Sequence, residues 1–155
     1  MNWAHAHIII NHIPVLGVTG GIMLLVYAMI RKSEEATMLS FVLFSLVALA
    51  TIAVFTAGHL AEDVVKDLPG VTENYIGRHE EMASVALVLT EILGILCIAG
   101  LFLLRKRGAI PRWLMVSVLV AALIALTAVG ITANLGGQIR HTEIRSEAAS
   151  PAPVR

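Results

Sequence analysis

Six histidines and a few carboxylates are the side chains with which this chain could do chemistry. His5, His7 and His12 stand in or beside the stretch HAHIIINHIP (5–14); the others are His59, His79 and His141. Imidazole is the commonest metal ligand, holds haem iron, and moves protons near neutral pH. Two imidazoles facing across an apolar slot would hold a b-type haem. The candidate ligands are His12, His59, His79 and His141, paired as His12 with His79 or His59 with His141. No C-x-x-C-H is present, so covalent c-type attachment is excluded. The alternative is a transition metal ion (zinc, copper or iron) held by His12, His79 and His141 with Glu62, Glu80 and Glu143; His59 and Glu81 are further donors. No H-E-x-x-H, G-x-S-x-G or phosphate loop points to hydrolysis or phosphoryl transfer.

The elements that must position these groups are membrane helices. The chain has 155 residues, 57% hydrophobic and only 14% charged, against roughly 25% charged in a soluble domain. Four apolar runs, 8–30, 38–57, 83–104 and 113–135, each reach the length of about 20 residues that crosses a bilayer as helix. The expected fold is an all-α membrane protein, an up-and-down bundle of four transmembrane helices over 1–145, with a poorly ordered tail at 146–155. The first run lacks a preceding basic residue and a small-residue cleavage site, so it reads as a retained helix rather than a signal peptide. All six histidines then fall at one end of the bundle, and every helix contributes at least one.

Basic residues orient the bundle. Arg31 and Lys32 in one short turn, with Arg105, Lys106, Arg107 and Arg112 in another, place both turns in the cytoplasm and both termini outside. The histidine end therefore faces outward, and the acidic residues gathered there argue against nucleic acid as a partner. The 58–82 loop is the only extended connection, and Val64, Val65, Leu68 and Val71 predict a short amphipathic helix lying on the outer surface. Gly17 and Gly21 form a GxxxG that predicts close helix packing. Cys97 has no partner within the chain and reads as a small buried hydrophobe.

Helical phase refines the candidates. His5, His12 and Thr19 share a face, and Pro14 places a helix start beside His12. His5 and His7 read as solvated imidazoles at the interface. Polar stripes at Glu80, Ser84, Glu91 and at Thr127, Gly130, Asn134, Gln138, His141 are expected to face inward, because polar groups toward lipid are costly. Glu91 lies about 16 Å below Glu80 at the helical rise. It reads as a proton relay, or as a structural carboxyl bonded to Thr51 or Thr127.

NHIP (11–14), LPGV (68–71) followed by His79-Glu80, and TANLGGQIRHTEI (132–144) together resemble a group of small four-helix bacterial membrane proteins whose function is uncharacterised. The resemblance covers nearly the whole chain and implies a four-helix fold with His12, His79 and His141 at motif positions. The chain departs from the pattern at Gln138, where the group has an acidic residue, and at Thr142, where it has proline.

The reading that follows is a small b-type cytochrome of the bacterial inner membrane, passing electrons near the outer face between quinol and a periplasmic redox protein. Two other readings stand beside it. One is a non-haem metal-binding membrane protein; the other is a non-catalytic subunit or assembly factor of a respiratory or photosynthetic complex.

Overall fold

A computed structural model describes residues 2–145, so the tail at 146–155 lies outside the described residues. The elements are α1 (Trp3–Ile10), α2 (Ile13–Arg31), α3 (Glu34–Val65), α4 (Glu73–Arg107) and α5 (Arg112–Arg140), closed by a 3-10 turn at Thr142–Ile144. Four segments are long and apolar enough to cross a membrane: Trp3–Arg31, which joins α1 and α2, then α3, α4 and α5. The protein is an all-helical bundle of four membrane-capable segments, as its composition predicts.

Local chemistry sets each helix end. The Asn2 side chain accepts the His5 backbone N–H at 3.0 Å to cap α1, and Ser33 does the same for Ala36 at 3.2 Å to cap α3. Lys32 ends α2 in the left-handed region (φ 52°), and Gly108 ends α4 there (φ 74°), where only glycine is free of strain. The break between α1 and α2 falls at Asn11–His12. Pro14 in the first turn of α2 has no N–H to return to the carbonyl of Ile10, so the chain bends there at little cost.

The helices are longer than a bilayer requires. At about 1.5 Å per residue, α4 runs some 50 Å, against a hydrocarbon core of about 30 Å. This corrects the expectation for 58–82. No helix breaker stands between Gly58 and Val65, so α3 runs straight through the first part, and α4 begins at Glu73. The true turn is 66–72, where Pro69 cannot continue a helix and Gly70 takes φ 80°. Leu68 and Val71 lie in that turn rather than on a surface helix.

Around the bundle α2 packs on α3, α3 on α4, α4 on α5, and α5 back on α2, with α1 against α3. The core sits toward the end carrying the 31–33 and 108–111 turns, around Leu25, Phe41, Phe44, Leu93, Cys97 and Val118. Close approach depends on missing side chains: a Cβ on Gly17 would strike Val47, one on Gly21 would strike Phe44, and one on Gly100 would strike Phe41. In lipid such contact, rather than hydrophobic transfer, holds helices together. Buried Thr37, Thr51 and Thr90 return their hydroxyls to carbonyls of their own helices, so no polar group is stranded by burying them.

The expected inward stripe on α5 is not what packs. Thr127, Gly130 and Asn134 are exposed, and α5 instead buries Leu114, Val118, Ala122, Ala125 and Val129. That face offers small apolar residues at steps of three and four, which pack closely without a polar group to satisfy. Helix α5 does continue through Gly136 and Gly137.

A histidine-lined chamber at one end of the bundle

At the end opposite the packed core the helices splay around a cavity of about 870 Å³. Its walls come from all four segments. His7, His12, His59, His79 and His141 line it, and His5 does not. The gathering of histidines at one end is thus a shared cavity, within the roughly 300–1,000 Å³ range of small-molecule and cofactor sites.

Two of the five imidazoles are held rigidly. His7, on α1, has its Nδ1 3.1 Å from the carbonyl oxygen of Val54 on α3. His79, on α4, has its Nδ1 3.0 Å from the carbonyl oxygen of Thr132 on α5. Each ring also lies on a glycine of the same partner helix. A Cβ on Gly58 would come within 2.9 Å of the Cε1 of His7, and one on Gly136 within 3.0 Å of that of His79. In both cases the glycine stands four residues after the accepting carbonyl.

The spacing has a physical reason. In an α-helix the side chain of residue i+4 leans back over the turn that carries the carbonyl of residue i. A glycine at i+4 leaves that carbonyl bare, and its second lone pair can accept from outside the helix. Val54-x-x-x-Gly58 and Thr132-x-x-x-Gly136 are therefore two copies of one imidazole holder. With Nδ1–H donating to a carbonyl, the neutral ring presents Nε2 as a lone-pair donor, the usual arrangement behind a metal-ligating histidine.

The two rings have centroids 6.5 Å apart and planes 80° from parallel. Imidazole nitrogens bound at about 2.0–2.1 Å on opposite sides of one ion would put the centroids roughly 6 Å apart, and a tetrahedral pair would put them roughly 5 Å apart. The observed separation suits a ligand pair across a single centre. The Oδ1 of Asn11, one turn from His7, is enclosed with no hydrogen-bond partner in the wall of the same cavity.

The remaining candidates are placed differently. His12 is exposed at the start of α2 and makes no side-chain cap. His141 is exposed and bonds the Glu143 carboxylate at 2.8 Å. His59 is largely exposed, with Nδ1 3.7 Å from Glu80 Oε1; together with Glu62 these two offer ligand atoms within 4.8 Å of one another. The predicted metal set of His12, His79 and His141 with Glu62, Glu80 and Glu143 is not gathered as one cluster among the described residues. Glu81 is exposed.

Glu91 does not line the chamber. Its Oε1 is enclosed without a hydrogen-bond partner, while Thr51 and Thr127 bond Val47 and Leu123 of their own helices. The expected bond from Glu91 to either threonine is absent.

His7 is the residue whose sequence reading the structure corrects. It is half-buried and bonded across to α3, not a solvated imidazole at the interface. The signal was there: His7, Asn11 and Pro14 recur at i, i+4 and i+7, and all three line the chamber. The competing stripe of His5, His12 and Thr19 has all three of its members exposed.

Comparison with protein-family models, curated proteins and solved structures returns no match.

Proposed function

We propose that this protein is a small b-type membrane cytochrome whose haem is held non-covalently between His7 and His79. The observation that carries the reading is the matched pair: two imidazoles 6.5 Å apart, each bonded through Nδ1 to a backbone carbonyl and seated on a glycine. The chemistry of the donor set would suit haem iron, which imidazole nitrogens ligate. The cavity around the pair is largely apolar, with Ile8, Val15, Phe55 and Val129 among its walls. Arg140 lies at the same cavity and offers a cation to acidic substituents of a macrocycle.

Bound haem would supply one-electron redox chemistry. The residues of the chain do the rest. His7 and His79 would hold the group through their Nε2 lone pairs, and the carbonyls of Val54 and Thr132, each at the ring's Nδ1, would keep each ring in that tautomer and orientation. The apolar part of the walls would lower the polarity around the group, one of the levers that set its potential. The basic turns at 31–32 and 105–112 support an orientation in the bacterial cytoplasmic membrane with the chamber and both termini outside. Quinol and a periplasmic redox protein are the partners this placement favours.

The test is a spectrum of the purified protein supplied with haem during expression. A Soret band and a dithionite-reduced α-band are expected, at one haem per chain. His7→Ala and His79→Ala should each abolish both bands, while His5→Ala keeps them. A folded but colourless natural protein would overturn the proposal, and so would full haem content in both alanine variants.

A further inference from the structure

We infer that His59, Glu62 and Glu80 form a second site at the solvent-exposed edge of the chamber, one that takes a divalent first-row metal ion of the zinc type. Among the described residues these three are the group whose donor atoms converge for metal binding, all within 4.8 Å of one another. His59 and Glu62 stand at i and i+3 on α3, so their side chains share a face. Glu80 comes across from α4. A carboxylate and an imidazole three apart on one helix, joined by a carboxylate from a neighbour, is a ligand pattern that helical bundles use for metal.

Electrostatics points the same way. The structure brings the Glu62 and Glu80 carboxylates of two helices together, and like charges at short range disfavour the arrangement unless a proton or cation lies between them. No lysine or arginine fills that role among the described residues: Lys66, next along α3, pairs with Asp63 at 2.6 Å, and Glu80 faces the Glu62 carboxylate and, at 3.7 Å, the His59 ring. Two carboxylates and one imidazole make a mixed oxygen and nitrogen set, suited to zinc and its first-row neighbours rather than to a soft copper(I) site. Three protein ligands leave a tetrahedral ion one open position.

Ligand atoms on a tetrahedral zinc stand roughly 3.4 Å apart. The largely exposed His59 side chain is free to rotate toward the two carboxylates, which closes the remaining gap. A bound ion would then tie α3 to α4 at the point where both helices leave the packed core.

The site is separate from the His7–His79 pair and does not depend on it. The experiment uses the full chain, purified without an affinity tag, stripped with chelator and titrated with Zn²⁺ by calorimetry. Co²⁺ then serves as a spectroscopic substitute. One ion per chain and a d–d band of low-coordinate cobalt are expected. His59→Ala and Glu62→Gln, each checked for native helicity, should weaken Zn²⁺ binding by at least about tenfold, the loss that even an outer-shell partner produces. His5→Ala should bind as the natural protein does. The inference is overturned if the folded natural protein binds no zinc, or if both variants bind it undiminished. Haem content is read separately by the α-band. A colourless protein that still binds zinc through His59 would sink the cytochrome reading alone, and a red protein indifferent to zinc would sink this one alone.

Discussion

The two ends of the bundle use glycine for opposite purposes. At the packed end Gly17, Gly21 and Gly100 remove a side chain so that Val47, Phe44 and Phe41 can fill the space. At the open end Gly58 and Gly136 remove one so that the rings of His7 and His79 can reach backbone carbonyls. In the first case the missing atoms are replaced by apolar packing, and the result is a dense core. In the second they are replaced by a polar ring with an unused nitrogen, and the result is a chamber. A small residue in a membrane helix therefore says only that something comes close; what comes close decides between structure and chemistry.

The comparison can be broken most severely at the open end. Gly58→Val or Gly136→Val would place branched carbons where an imidazole now lies and cover the accepting carbonyl. On the proposed cytochrome reading, either substitution is expected to eliminate haem binding while the helical content by circular dichroism stays native. If both variants keep full haem, the glycine holders are not what seats the ligands.

At the packed end, Gly21→Ala and Gly100→Ala each force an aromatic ring to move in a filled core. The expected cost is about 1–3 kcal/mol, in the range of overpacked cores. It should appear as lower resistance to unfolding in detergent, with unchanged haem per folded chain. The opposite pattern, lost haem with native stability, would mean that the two ends are not independent.

The smallest effect concerns the C-terminal turn. There the Glu143 carboxyl is held below the usual carboxylate range by its own backbone N–H and by the bond from His141. A depressed carboxylate pKa contributes stability above the ordinary value and loses it as pH falls through the folded one. Acidification below the normal carboxylate range should therefore loosen the turn at Thr142–Ile144 and leave the bundle intact. Amide exchange at residues 141–145 reads this directly. Glu143→Gln should remove the pH dependence; exchange that tracks pH equally in that variant would assign it elsewhere.

Much of the architecture was legible because lipid imposes it. Four long apolar runs with basic turns between them leave little choice but a helical bundle, and the clustering of histidines at one end follows from chain direction alone. The boundaries at 58–82 were less legible, because polar residues are read as loop once an apolar run stops. A helix does not end where the membrane does, and α3 keeps its hydrogen bonds until Pro69 and Gly70 approach. The inward stripe on α5 failed for a related reason: Thr127 and Asn134 are polar, but their helix packs through its alanines and valines.

Within the site, the sequence marks His79 as a candidate ligand and gives His7 the look of a solvated imidazole. The i, i+4, i+7 spacing of His7, Asn11 and Pro14 marks one face of HAHIIINHIP, but it does not reveal that the ring on that face meets a carbonyl 47 residues away. The amino-acid sequence by itself determined the helices, the turns and the end at which imidazole accumulates, since hydropathy, charge and proline act locally along the chain. Only the tertiary structure decided which imidazoles are held. That choice depends on a bare carbonyl and a glycine of a neighbouring helix arriving beside the ring, a coincidence of two segments that neither one encodes alone.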